Sequence, residues 1–181
     1  MKDLTSWVLA RTAVTAAPGG TPDPAASRES LRDLTALYAI AVDAHDVAAL
    51  EAMFAPDAVL DRDGERAHGR GEILALLRAS MDGFRRMLHT PETQVVHVDG
   101  RTGAGIATAH AELVTSRGVV VAAHEYEDAF AVHEGRWVFT ERKIRFVYAA
   151  RSGEYGATLP DEDRVRLPGE PPRAMRGRWF A

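Results

Sequence analysis

The sequence predicts an α+β domain in which helices pack against one strongly curved sheet that wraps around them and leaves a pocket between. Three observations predict it. Up to about residue 90 the apolar residues recur at helical spacing. After Pro91 the texture changes to alternating or short continuous apolar runs. The turn dipeptides Asp99-Gly100, Arg117-Gly118 and Glu134-Gly135 then cut that second half into strands. Helices first and strands after make segregated layers rather than a βαβ wind, and a sheet bent around helices encloses space for a ligand.

Each element follows in order. Residues 1–26 read as a flexible arm, because "AAPGGTPDPAA" is rich in Pro and Gly and offers few anchoring side chains beyond Trp7 and Val8. The compact domain spans 27–149. Ser27 or Ser30 can cap a first helix, whose face is Leu31, Leu34, Leu37, Tyr38, Ala41 and Val42 and which runs to about Ala44. Asp46 can cap a short second helix, Val47 to Phe54. "APDAVLDRDGERAHGR" gives a turn, a short strand and a hairpin about Asp63-Gly64. A third helix covers Gly71 to Leu88, with Ile73, Leu77, Met81, Phe84 and Leu88 on one face. An antiparallel meander of four strands completes the domain. Residues 150–181, with four prolines, form a tail that serves as a lid or a dimer arm.

Bulk properties exclude several classes. The 181 residues carry a net charge of −4 with Lys and Arg scattered, unlike the basic stripe of a nucleic-acid surface. There is no cysteine, hence no disulfide, thiolate zinc site or thiol nucleophile. No run approaches the ~18 apolar residues of a membrane span, and the apolar run Trp7 to Ala10 stops at Arg11, too short for a signal peptide. The expectation is a cytoplasmic protein without membrane or nucleic-acid partners. Helical His-x-x-x-His pairs, phosphate-cradling glycine loops and serine elbows are absent, so no metal and no cofactor are expected.

The residue that breaks the local rules is Asp43. It ends the apolar run Ala36 to Val42, at the unfavourable end of a helix dipole. Such a carboxylate either turns outward to cap the next connection or serves proton-transfer chemistry in a pocket. His89 directly follows the third helix, where it either satisfies helix carbonyls or joins a site. Strand parity points His124 and Tyr126 inward, together with Asp128 and Phe130, and leaves Glu125 and Glu127 facing water. In the preceding strand Ala107, Ala109, Ala111 and Leu113 suit the concave side, which turns His110 outward unless a bulge reverses it.

The pieces "LYAIAVDAHDVAALEAMFAPDAVL", "GRGEILALLR", "LHTPETQVVHVDG" and "YEDAFAVHEGRWVFTERKI" resemble the SnoaL-like branch of the nuclear transport factor 2-like superfamily, over about residues 27–148. The resemblance implies a cone-shaped, curved mixed sheet wrapped around the N-terminal helices with an internal pocket, and a homodimer formed through the sheet. Among members, the chain is most similar to the scytalone dehydratase and dehydrochlorinase group, which works without cofactors. That similarity implies an Asp43–His89 pair, a pocket-lining Arg142, and a second histidine at His110, for which parity makes His124 the rival. Tyr38 stands where the dehydrochlorinase has a lysine and Val42 where the dehydratase has a tyrosine, so the class of chemistry is implied and neither named reaction is.

The expected function is therefore a cofactor-independent dehydratase, cyclase or isomerase acting on a small hydrophobic, polyketide-like or cyclic substrate. Asp43 orients His89, which moves the proton, and Tyr38, Tyr126 or Arg142 polarises a substrate oxygen. Epoxide hydrolysis by Asp43, Arg142 and Asp128, a silent binding pocket, and a structural subunit of a complex are the alternatives.

Overall fold

The structure is a computed structural model that describes residues 3–14 and 20–176. Helices pack on the concave side of an open six-stranded sheet of order β2-β1-β6-β5-β4-β3, the α+β cone implied by the resemblance.

The helices come first, as expected, with shifted ends. Residues 1–26 are not simply an arm. Asp3 caps a helix, α1 (Leu4–Thr12), whose Val8 is fully buried against the core and whose Arg11 pairs with Asp33. Periodicity over so short a helix is a weak signal, and the contacts that hold it are tertiary. Part of the Pro- and Gly-rich stretch, residues 15–19, lies outside the described residues. Helix α2 (Pro24–Asp43) starts earlier than Ser27. Asp23 accepts from the Ala26 amide and Pro24 takes the first helical position, where its missing N–H costs nothing. Asp46 caps α3 (Val47–Met53) by accepting from the Ala49 amide.

β1 (Phe54–Arg62) and β2 (Glu65–His68) form the hairpin about Asp63-Gly64, both with positive φ (55° and 105°), as a tight hairpin turn requires. β1 also pairs in parallel with β6 (Arg136–Arg151), which makes the sheet mixed. α4 (Gly69–Asp82) ends at Asp82, six residues before the end that periodicity predicts. β3 (Arg86–Asp99) begins there instead, because β4 (Thr102–Thr115) offers it a full-length antiparallel ladder. Leu88 is consequently 56% exposed rather than part of a helical core face. Pro91, which cannot donate to a ladder, sits on this edge strand at a register shift. β5 (Gly118–His133) joins β4 to β6.

The Leu31 side chain of α2 reaches over β4 at Gly103, which has no side chain. A Cβ there would stand 3.2 Å from Leu31 Cδ1 and 2.9 Å from the His97 carbonyl. The main core joins α2, α3 and α4 to the inner sheet face through residues such as Leu34, Leu50, Phe54, Ile73 and Phe139. A second cluster joins Leu113, Val120 and Phe146 to Val165 and Leu167 of the C-terminal segment. After α5 (Tyr155–Thr158) that segment returns as a strap: Val165 bridges Ala149 and Arg173, and Arg173 pairs with Asp63 of the β1–β2 turn. Arg176 donates to the Asp63 carbonyl at 2.6 Å. Residues 177–181, the end of the predicted lid or dimer arm, lie outside the described residues. No helix among the described residues is long and apolar enough to cross a membrane.

Candidate active site

Asp43 is the last residue of α2, and His89 lies on β3, not after a helix. The two meet because α2 rests across β3. His89 Nδ1 stands 2.6 Å from Asp43 Oδ1, and the His89 backbone N–H donates to Asp43 Oδ2 at 2.8 Å. Both carboxylate oxygens are thus engaged by one residue, which fixes ring and strand together. Their side chains are 18% and 12% exposed. A carboxylate can only accept, so the Nδ1 proton is held toward Asp43 and Nε2 carries the lone pair.

His89 lines a cavity of about 50 Å³ between the sheet and α2 and α4. At ~10–15 Å³ per ordered water, this conformation holds a few waters and no ring-sized ligand. The polar wall is Tyr38, Arg62, Ser80, His89, His124 and Tyr126. The rest is apolar, with Leu77, Met81, Phe84, Met87 and Phe146 prominent.

Parity reads β5 correctly on this face. His124 and Tyr126 are 4% and 6% exposed and point inward. The His124 ring lies 5.8 Å from that of His89 and 4.6 Å from that of Phe146. Burial, reinforced by the nearby His89, drives its proton affinity well below the ordinary imidazole value, so it is neutral near pH 7. Its Nδ1 is buried without a hydrogen-bond partner. Burial raises the phenol pKa of Tyr38 and of Tyr126, which stay protonated. Parity fails for Glu125, which is 1% exposed rather than facing water.

Two other predicted site residues stand elsewhere. His110 is on the outer face, half-exposed and 2.8 Å from Glu92, so of the two rival histidines only His124 reaches the cavity. Arg142 does not line the cavity either. Its side chain is fully buried, and it grips Asp128 with two parallel bonds of 2.9 and 3.0 Å. Its guanidinium carbon lies 4.1 Å from the Tyr38 ring centroid and 4.4 Å from that of Tyr126. Arg142 thus sets the tyrosines that line the cavity, rather than the cavity itself. The same geometry removes the Asp43, Arg142 and Asp128 set imagined for epoxide hydrolysis, since Asp43 is committed to His89 and Asp128 to Arg142.

Sequence reasoning missed Arg62. It is the last residue of β1 and lines the cavity, its guanidinium carbon 5.4 Å from the centroid of Phe146. Alternation along β1 was the available signal, since Asp61 turns the other way, toward Arg145 and Arg66. Among the described residues no group of three or more His, Asp or Glu side chains is placed to hold a metal.

Solved structures similar to this chain carry several names. A hexachlorocyclohexane dehydrochlorinase of Novosphingobium barchaimii LL02 matches with TM-score 0.64 and 22% identity, over 69% of this chain and 89% of its own. A candidate scytalone dehydratase of Novosphingobium aromaticivorans matches with TM-score 0.62 and 18% identity, over 66% and 83%. A candidate aromatic ring hydroxylase of the same organism matches with TM-score 0.66 and 24% identity, over 71% and 94%. No curated protein matches. At these identities the likeness shows a shared fold. The sequence profile of the SnoaL-like domain, however, matches residues 23–143, about two-thirds of the chain and every element that carries Asp43, His89 and His124, and this protein belongs to the SnoaL-like family.

Proposed function

We propose that this chain is a cofactor-independent acid–base enzyme, a dehydratase, cyclase or isomerase of a small hydrophobic, cyclic or polyketide-like molecule. The observation that carries the reading is the 2.6 Å contact between Asp43 Oδ1 and His89 Nδ1 at the wall of a mostly apolar cavity. Asp43 fixes the tautomer and steadies the cation that forms when Nε2 takes a proton from a substrate carbon. Neutral His124 and the protonated Tyr38 and Tyr126 supply polar atoms to hold a substrate oxygen. Membership of the SnoaL-like family and the dehydrochlorinase and dehydratase names among similar structures support the class of chemistry.

The test is proton exchange. A panel of small cyclic ketones would be incubated in D₂O and followed by NMR for exchange beside the carbonyl and for loss of water. The expected result is exchange or elimination by the native chain that falls ~10²–10⁴-fold in Asp43→Asn and in His89→Ala. If both variants keep the native rate on a substrate that is turned over, the dyad is not the catalyst.

A further inference from the structure

The cavity carries a cation that the dyad chemistry does not use. Arg62 is only 19% exposed in its side chain, and its nearest acid is Glu65, 3.9 Å away and 61% exposed. So loose and solvent-screened a pair neutralises little. Among the described residues no carboxylate forms part of the cavity wall, and Asp43 is already bonded to His89. The Arg62 charge is felt across the cavity, where it disfavours a proton on His124 and favours ionisation of Tyr38. Phe146 helps to fix its place: the guanidinium carbon lies 5.4 Å from the centre of that ring, and the His124 ring meets Phe146 at 4.6 Å and an angle of 58°. A guanidinium at the wall of a mostly apolar cavity is suited to an anion that can accept two hydrogen bonds.

We infer that Arg62 makes this site selective for an acidic substrate, a small hydrophobic ring compound that bears one anionic oxygen group, carboxylate or ionised hydroxyl, held by Arg62 while the ring, in a widened form of the cavity, lies between Phe146, Met81 and Leu77. The inference rests on reading the cavity as the substrate site, and it names the substrate class. The anchored oxygen sets which ring carbon faces His89. Arg62 is thus a binding and orienting residue, and the proton transfer remains with His89.

The experiment is equilibrium binding of a matched pair of probes, benzoate and benzamide, to the native chain, Arg62→Gln, Arg62→Lys and Asp43→Asn, with folding checked by circular dichroism. The native chain is expected to prefer benzoate by about tenfold, the size of a charged hydrogen bond. Arg62→Gln should abolish the preference, Arg62→Lys should keep part of it, and Asp43→Asn should keep it. Equal or undetectable binding of the two probes by the native chain overturns the inference, as does a preference that survives Arg62→Gln. The two readings fail separately. Loss of the charge preference with the Asp43- and His89-dependent exchange intact defeats only the Arg62 role. An intact Arg62-dependent preference alongside exchange indifferent to Asp43 and His89 defeats only the dyad.

Discussion

Arg142 and Asp128 show how much of the site is held from behind. Both are buried, and burial alone raises the Asp128 carboxyl, which only the guanidinium beside it offsets. A buried pair is costly to break because the survivor keeps an uncompensated charge. Asp128→Ala is therefore expected to destabilise the fold by about 3–5 kcal/mol, measured by urea denaturation. A loss under about 1 kcal/mol would mean that the pair is not desolvated. Replacing both residues by apolar ones should restore much of the stability and still displace Tyr38 and Tyr126, whose rings flank the guanidinium.

At the scale of elements, Asp61 ties β1, the β1–β2 turn and β6 together, accepting from Arg145, from Arg66 and from the Gly64 amide. The bonds to Arg145, first among these, hold its carboxyl well below the ordinary 3.8. The unfolded chain then binds that proton more readily than the folded one. The contribution is complete above the unfolded value and drains away as the pH falls through the folded one. Asp61→Asn should cost stability at pH 7 and flatten the acid limb from about pH 4 downward, read from thermal midpoints across pH. An unchanged acid limb would place the acid sensitivity elsewhere. Elements with long periodic faces or caps were legible in the sequence, as α2 and α3 were, and so was the inward face of β5. The boundary between α4 and β3 was not. Met81, Phe84 and Leu88 continue the helical period, and only pairing with the far end of β4, Arg86 opposite Val114, turns the chain into a strand. For the same reason His89 could be singled out from the residues while its element could not, and its pairing with Asp43 came only from the family resemblance. The family resemblance placed Arg142 in the pocket; that its partner is Asp128 on the neighbouring strand is a fact of register that no local pattern carries.

For the whole molecule, the strap braces one end of the cavity from outside. It packs Val165 and Leu167 against the cavity-lining Leu113 and Phe146, and Arg173 fastens it to Asp63, beside Arg62. Arg173→Ala is expected to speed amide exchange at Val165 and Arg166, which donate to the Arg173 and Ala149 carbonyls, while the β4–β5 ladder keeps its protection. Equal acceleration in both places would mean general destabilisation and not a released strap. The parallel pairing of β1 with β6 has a consequence of another kind. Arg62 lies opposite Ile144, so the cavity's cationic wall is finished only after residues 136–151 have been added. A chain emerging from the ribosome can bring Asp43 to His89 once β3 and β4 have left the exit tunnel. It must carry β1 unpaired on its β6 side until synthesis is nearly over. During translation, then, the contact between Asp43 and His89 can exist before the cavity beside it is walled in.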